Sequence, residues 1–547
     1  MAITWLRLEA RRRWGSLLVL ALLVALAAGT VLTAVAGARR GQTAYDRLWS
    51  RTLPATVGVL ANQPGFDWLR VEALPEVAAT GLFVVYSGAA VYPGSQTGAG
   101  GGLEFPPANS GLMSSVERPV VLQGRRANPA RVDEVMATPH YMSAHHLRVG
   151  DRLTVHLSSP AQATAGFDAS TGEPLGPRLT VHIVGVIRSP FFIDQPGDSG
   201  GVEATYGFFQ RYRRFIIGSN RMLTASYVNA LIRLKGGEEE IPAFRADLAR
   251  VTGRSDIDVL DDAIWLGEPV RTATGYEAAC LFAFGLAALL AALFLVGQAV
   301  ARYASGGAAD LQVLKAVGLT RRQAAACAAI APGLAAAAGA GVGVAAAIVA
   351  SRWMPIGIAS LAEPDPGFNA DWLVLGTGWA VTVVLVAGGS ALLTRAALTT
   401  GKLRAAPRRS AVATAAAGAG LPVATVVGAR FALERGHGRS AVPVLPAIMG
   451  AVAGVLGVLA AFTFSAGVQD AIANPVRFGI TWQLDTFLGA DGQDFGPAAP
   501  VERATAASPL VAGYLDVRVG GAQAKGVSIE SFTYTPVDGK RVPVVLT

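Results

Sequence analysis

The chain has 547 residues, of which 52% are hydrophobic and only 15% charged, and its formal net charge is +8. Soluble proteins carry roughly 25% charged residues, so this balance, with a mean hydropathy of +0.42, excludes an ordinary soluble enzyme and a disordered regulator. Two cysteines cannot build a disulfide framework; Cys280 and Cys327 both stand in apolar runs and are expected as buried small hydrophobes.

A membrane-crossing helix needs about 20 mostly apolar residues, because each residue rises about 1.5 Å across a hydrocarbon core about 30 Å thick. Five uncharged stretches meet this requirement: 14–38, 278–301, 323–351, 372–394 and 440–469. The first also imitates a secretion signal, with "RRRWGSLLVLALL" ahead of "AVAGA". Its apolar run is longer than the roughly 7–15 residues of a cleaved segment, so an uncleaved anchor is expected.

Charge summed between the spans separates by side. Residues 1–13, 302–322 and 395–439 carry +3, +3 and +7, whereas 39–277, 352–371 and 470–547 carry −1, −2 and −2. Basic loops stay on the cytoplasmic side, so the N-terminus, residues 302–322 and the basic linker 395–439 are expected inside. The expectation is a multi-pass protein of the plasma or inner membrane, in contact with lipid and with no nucleic-acid partner. Arg39 and Arg40, just beyond the first span, run against the sum.

Residues 39–277 are long enough to bury a core and are expected to form an extracytoplasmic α+β domain. Strands are expected at 56–60, 81–91, 178–188 and 226–234, and short helices at 66–74 and 237–253. The acidic start of the second helix, Glu238–Glu240, suits the positive end of a helix dipole. The stretch 118–157 reads as two strands around a short helix, and the Gly/Pro/Ser-rich run 94–111 as a mobile loop. The fold class is therefore a five-span α-helical membrane bundle carrying this large domain between spans one and two.

No catalytic constellation is legible. His140, His145 and His146 form the one histidine cluster, but no carboxylate or thiol stands at ligand spacing, so no metal is expected. Gly401-Lys402 and Gly539-Lys540 lack the remainder of a phosphate-binding loop, and neither a G-x-S-x-G nor an H-E-x-x-H pattern occurs. The chain is expected to be no enzyme and to bind no cofactor.

Residues 302–322, "RYASGGAADLQVLKAVGLTRR", join spans two and three. A short helix is expected at 310–317, with Leu311, Leu314 and Val317 on one face and Gly318 as its stop. Three features resemble the FtsX-like (MacB-type) permeases, the membrane subunits of type VII ABC transporters. The layout is one; "LQVLKAVGLTRRQ" is a second. The third is a "GR…DE…L-x-V-G-D" run comprising Gly124, Arg125, Asp133, Glu134, Leu147, Val149, Gly150 and Asp151. A departure from the family pattern is "ASGGAAD", which leaves only Asp310 where members carry an acidic-basic run. The resemblance implies a P-loop ATPase partner that binds the ATP, docked on Asp310, Leu311, Leu314, Lys315, Gly318, Arg321 and Arg322. It implies a non-catalytic subunit that passes ATP-driven motion to its extracytoplasmic domain, exporting or extracting a lipid- or peptide-type substrate. A membrane-anchored regulator or scaffold that activates a cell-envelope enzyme is the alternative.

Segments near 430–515 echo the N-terminus: "RFALERGHGRS" resembles "RLEARRRWGS", and "VERATAASPLVAGYLDV" resembles "VEALPEVAATGLFVV". Span five and residues 470–547 therefore read as the start of a second repeat in an eight-span permease of which this chain is a fragment, or of a degenerate second half. A homo-dimer, or a pseudo-dimer through the second repeat, is expected. Gly339, Gly341, Gly343, Gly388, Gly389, Gly450 and Gly454 are expected to permit close helix packing.

Overall fold

The computed structural model describes the backbone of residues 2–63, 65–93, 101–169, 172–194, 200–218, 227–255, 257–316, 318, 320–399, 411–419, 422–433, 444–478, 482, 489–490, 493–494, 498–524 and 527–535. The chain opens on α1 (Ala2–Gln42), which bends at Arg13, and turns at once into α2 (Ala44–Arg51). Then follow β1 (Val57–Leu60), α3 (Trp68–Glu72), β2 (Val77–Val84), β3 (Ala89–Pro93), β4 (Val120–Gly124), β5 (Glu134–Ala137), α4 (Pro139–Ala144) and β6 (Arg152–Leu157). The domain continues through α5 (Pro160–Thr164), β7 (Arg178–Arg188), β8 (Val202–Ala204), α6 (Tyr206–Ile216), β9 (Val228–Leu234), α7 (Ile241–Thr252) and β10 (Asp258–Asp261). A π-helical turn at Ala263–Gly267 leads into α8 (Glu268–Ala316). Next come α9 (Arg321–Ala350), α10 (Ile358–Ala362), α11 (Trp372–Thr399), α12 (Ala411–Gly418), α13 (Val423–Leu433) and α14 (Val444–Ala473). The last elements are β11 (Gly489–Ala490), β12 (Gln493–Asp494), α15 (Ala498–Ala507), β13 (Asp516–Ala524) and β14 (Val527–Thr535).

Among the described residues the α+β domain holds two sheets. The first runs β10-β1-β9-β2, antiparallel throughout, and α3 and α7 cover it with Trp68, Val71, Phe244 and Leu248 against Val57, Val59 and Ile232. The second runs β3-β6-β7-β5-β8, with β4 also on β7 and only β5–β7 parallel. Its core sets Val155, Val181 and Ile183 against Tyr141, Phe208 and Ile216. Strand β7 spans the expected 178–188, because its alternation buries Val181 and Ile183 on one face. The acidic residues expected to open a helix form a 3-10 turn (Gly237–Glu240) ahead of α7, and Gly253, at φ 69, closes α7 in the left-handed conformation.

Two expectations are corrected, and a third is only partly covered by the described residues. The strand expected over 81–91 is two strands, β2 and β3, in different sheets. Strand β2 pairs with β9 as far as Val84 and β3 pairs with β6 from Ala89; between them Tyr86 turns inward, its hydroxyl 3.1 Å from Ser158 Oγ and donating to the Phe215 carbonyl at 3.2 Å. The segment 118–157 carries three strands, β4, β5 and β6, rather than two. Of the run expected to be a loop, residues 94–100 lie outside the described residues, while Leu103 is buried and bridges to Val202.

Among the described residues, five helices are long and apolar enough to cross a membrane: Arg11–Gln42, Glu268–Ala304, Arg322–Trp353, Trp372–Ala396 and Gly454–Ala471. Four of them, in α1, α8, α9 and α11, pack together around Leu20, Val24, Leu32, Val300, Ala336 and Ala340. The fifth, in α14, touches the side of α8 and leaves Val455, Leu459 and Phe462 exposed. A helix that is apolar all round gives no inward face to read. Cys280 accordingly stands exposed on α8 and Cys327 is half-buried, which corrects the expectation that both are buried.

Candidate functional site

The bundle and the domain meet through the short segment between α9 and α11. Glu363, 4% exposed at its side chain, accepts from Arg40 Nε at 3.1 Å and from Arg47 Nη2 at 2.6 Å. Arg40 ends α1 and also donates to the carbonyls of Ser351 (2.7 Å), Asp365 (2.6 Å) and Gly367 (3.0 Å). From the second sheet, Arg188 at the end of β7 donates to the Glu363 carbonyl. Arg188 is buried, which lowers its pKa to about 10, while the charges of Asp194 and Glu363 oppose that shift. Asp194 in turn accepts from the His140 amide at the start of α4, at 2.9 Å.

Further ties surround this clamp. Arg39 pairs with Asp371 at 3.0 Å and Arg51 pairs with Asp365. Glu277 on α8 accepts from the amides of Ile358 (2.7 Å) and Ala359 (3.2 Å), so an anion from the second span caps the first turn of α10. Gly357, at φ 64, is what lets that carboxylate approach, since a Cβ there would collide with it. Ala359 and Ala362 then pack on Ala44 and Tyr45 of α2. Charge reading singled out Arg39 and Arg40 as exceptions, yet missed their role. Each is neutralised by an acid more than 300 positions away, and no local pattern announces that pairing.

The residues expected to dock a partner lie at the opposite end of α8. The expected separate helix at 310–317 is instead the last part of α8, which runs unbroken to Ala316; no proline interrupts "ASGGAAD". Asp310, Leu311, Leu314 and Lys315 share those final turns, and their side chains, like that of Arg321 and all of Val317, lie outside the described residues. Gly318 does stop the helix, at φ 106. Thr320 caps α9 reciprocally with Gln323: its Oγ1 accepts from the Gln323 amide at 3.3 Å, and its own amide donates to Gln323 Oε1 at 3.0 Å. Arg321 and Arg322 open α9, and Arg322 is exposed.

The "GR…DE…L-x-V-G-D" residues gather around β7. Arg125 donates to both oxygens of Glu134, at 2.9 and 2.8 Å, and the Asn128 amide adds a third bond at 2.9 Å. Arg131 holds Asp133 in the same two-pronged way, at 2.8 and 2.6 Å. Gly124 (φ 74) and Gly150 (φ 101) make the turns, the Gly150 amide donates to Ile183 at 2.7 Å, and Asp151 accepts from the Arg148 amide at 2.8 Å. Leu147 packs on the core of the second sheet, whereas Val149 is exposed. These contacts tie β4, β5 and β7 together at this edge of the second sheet.

Glu134 carries a pH prediction. The Arg125 hydrogen bonds, above all, hold its carboxyl down at about 2 against the opposing effect of burial. A carboxyl whose folded pKa lies below its unfolded value of about 4.3 adds stability at higher pH and loses it as pH falls from there toward 2. Glu134→Gln is therefore expected to flatten the acid limb of the unfolding midpoint, followed for the full chain between about pH 5 and pH 2. An unchanged acid limb would refute the pairing.

Of the three histidines, His140 and His145 are half-buried and His146 is exposed. Among the described residues no group of three or more His, Cys, Asp or Glu side chains could hold a metal ion. The fold thus defines an α-helical protein with membrane-length helices and an α+β domain inserted between the first two. No protein-family model matches the chain, and no curated protein matches it.

Proposed function

We propose that the chain is the non-catalytic permease subunit of an ABC transporter of the FtsX-like (MacB-type) kind, set in the cell membrane with its N-terminus in the cytoplasm. A partner P-loop ATPase binds and hydrolyses the ATP. The α+β domain, outside the membrane, carries the resulting motion to a lipid- or peptide-type substrate for export or extraction. One observation carries the reading: α1 and α8 each run without a flexible linker from the far end of the bundle to the foot of the domain, where a buried ion pair ties α1, and half-buried Glu277 ties α8, to the α9–α11 segment. Displacing the far ends of such helices displaces the domain, since helices packed along their length move as rigid bodies. The +13 carried by 1–13, 302–322 and 395–439 supports the orientation.

The test is co-purification of the tagged full chain from its native membranes. A nucleotide-hydrolysing partner is expected with the native sequence, and its occupancy is expected to fall at least about tenfold in a Leu311→Asp/Leu314→Asp variant, the loss of about 1.4 kcal/mol of binding. Retention of the ATPase at full occupancy by that variant, with an unchanged gel-filtration profile, would place docking elsewhere. Purification without any ATPase would favour the regulator or scaffold reading.

A further inference from the structure

Asp262 stands at the point where the domain hands over to α8, directly after β10 and before the π-helical turn. The residue is 1% exposed, and among the described residues neither carboxylate oxygen has a hydrogen-bond partner. The Gly58 backbone of β1 faces it without completing a hydrogen bond, and a Cβ at Gly58 would stand 3.3 Å from Oδ1. Native proteins seldom leave a buried polar atom unmatched, and such atoms call for an explanation.

The charged and titratable surroundings are acidic. Glu117, ahead of β4, and Asp261, on β10, both bear on Asp262, and among the described residues no basic group does. Glu117 is itself buried and already engaged, accepting from the amides of Ala55 (3.0 Å) and Phe191 (3.1 Å). From α2 comes Tyr45, whose buried hydroxyl has no partner among the described residues and which feels both Asp262 and Glu117. Arg271 of α8 is occupied elsewhere, lying over the rings of Tyr45 (5.3 Å) and Trp49 (5.9 Å) and donating to Asp46 at 3.1 Å. Burial, reinforced by Glu117 and Asp261 and opposed in smaller measure by the Gly58 backbone, pushes the Asp262 carboxyl well above the usual carboxylate range. An ionised carboxylate without a partner is untenable in such a place, and a neutral acid is not.

We propose that Asp262 is a proton-binding site that latches the joint between the α+β domain and α8. With its proton, the acid sits against β1 and α2 and holds the π-helical turn in place. Without it, the charge reaches water only if the turn opens, so opening releases one proton to solvent. π-Helical turns are rare and recur where function needs a local change of helix geometry. The latch stands beside the clamp at Glu363 rather than within it, and acts on the α8 side of the joint.

The test is hydrogen exchange of the full chain in nanodiscs from about pH 5 to pH 9, taking the ratio of exchange in 258–275 to that in 178–188 so that the intrinsic pH effect cancels. Because opening releases one proton, this ratio is expected to rise with pH in the native chain, by about tenfold per pH unit for as long as the closed acid keeps its proton, and to stay flat in Asp262→Asn. The sign for stability agrees. A carboxyl raised above its unfolded value takes up a proton on folding, so stability is greatest below about pH 4 and falls as pH rises. The thermal midpoint of Asp262→Asn is therefore expected above that of the native chain at pH 8 and equal to it near pH 4. A flat ratio in the native chain overturns the proposal without recourse to any variant. Asp262→Asn destabilised equally at every pH overturns it too, as does a midpoint that calcium chloride raises in the native chain but not in Asp262→Asn, which would make the site a cation site.

Discussion

Glu363→Ala is expected to lower the stability of the full chain by about 3–5 kcal/mol, the cost of leaving a buried charge without its partner. Arg40 is only 6% exposed at its side chain and cannot turn to water, because three backbone carbonyls hold its other nitrogens in place. Removing Glu363 also frees Arg47, but that side chain is about one-third exposed and finds solvent. Glu363→Gln keeps acceptor capacity while removing the charge, so it falls between Ala and the native chain. Arg51→Ala is the control. Its pair with Asp365 is open to solvent on both sides, and a pair of that kind is worth at most about 1 kcal/mol. Unfolding midpoints in detergent order the three variants, and equal shifts for Glu363→Ala and Arg51→Ala would show that the clamp is no more than a surface pair.

Gly339→Leu is expected to be nearly as damaging, at about 3 kcal/mol, through overpacking against backbone that cannot yield. A Cβ on Gly339 would run into the Ala21 carbonyl of α1, and one on Gly343 would stand 2.8 Å from the Gly29 nitrogen. Helices α1 and α9 thus touch backbone to backbone along this line, as small residues permit in membranes. Gly341, between them in sequence, meets nothing within 4 Å. Gly341→Leu should therefore leave the midpoint unchanged while Gly339→Leu lowers it. If both act alike, the contact between α1 and α9 is wrong. Gly388, Gly389 and Gly454 also meet nothing within 4 Å, so close packing at those positions is not seen, and the surroundings of Gly450 lie outside the described residues.

The same residue type therefore carries different weight according to its partner. The run Gly339, Gly341 and Gly343 reads uniformly as a packing motif, yet only the first and last face α1. A helix of 3.6 residues per turn sends neighbours two apart to different sides, so a sequence run does not say which side is occupied. The histidines teach the same lesson, since the His140 backbone rather than its ring takes part in the charged network at the joint.

Features that depend on local periodicity and composition are legible in the sequence. The membrane-length helices, the extent of β7, the end of α7 at Gly253 and the stop at Gly318 all follow from patterns within one or two turns of chain. The tertiary structure alone decided the partners. It set β2 and β3 in different sheets, made residues 310–316 the end of α8, joined Arg40 to Glu363, and left Asp262 buried beside Glu117 and Asp261. The physical reason is range: hydrophobic period and charge bias are written in neighbouring residues, whereas a buried charge is tolerated only through groups that folding brings from distant positions.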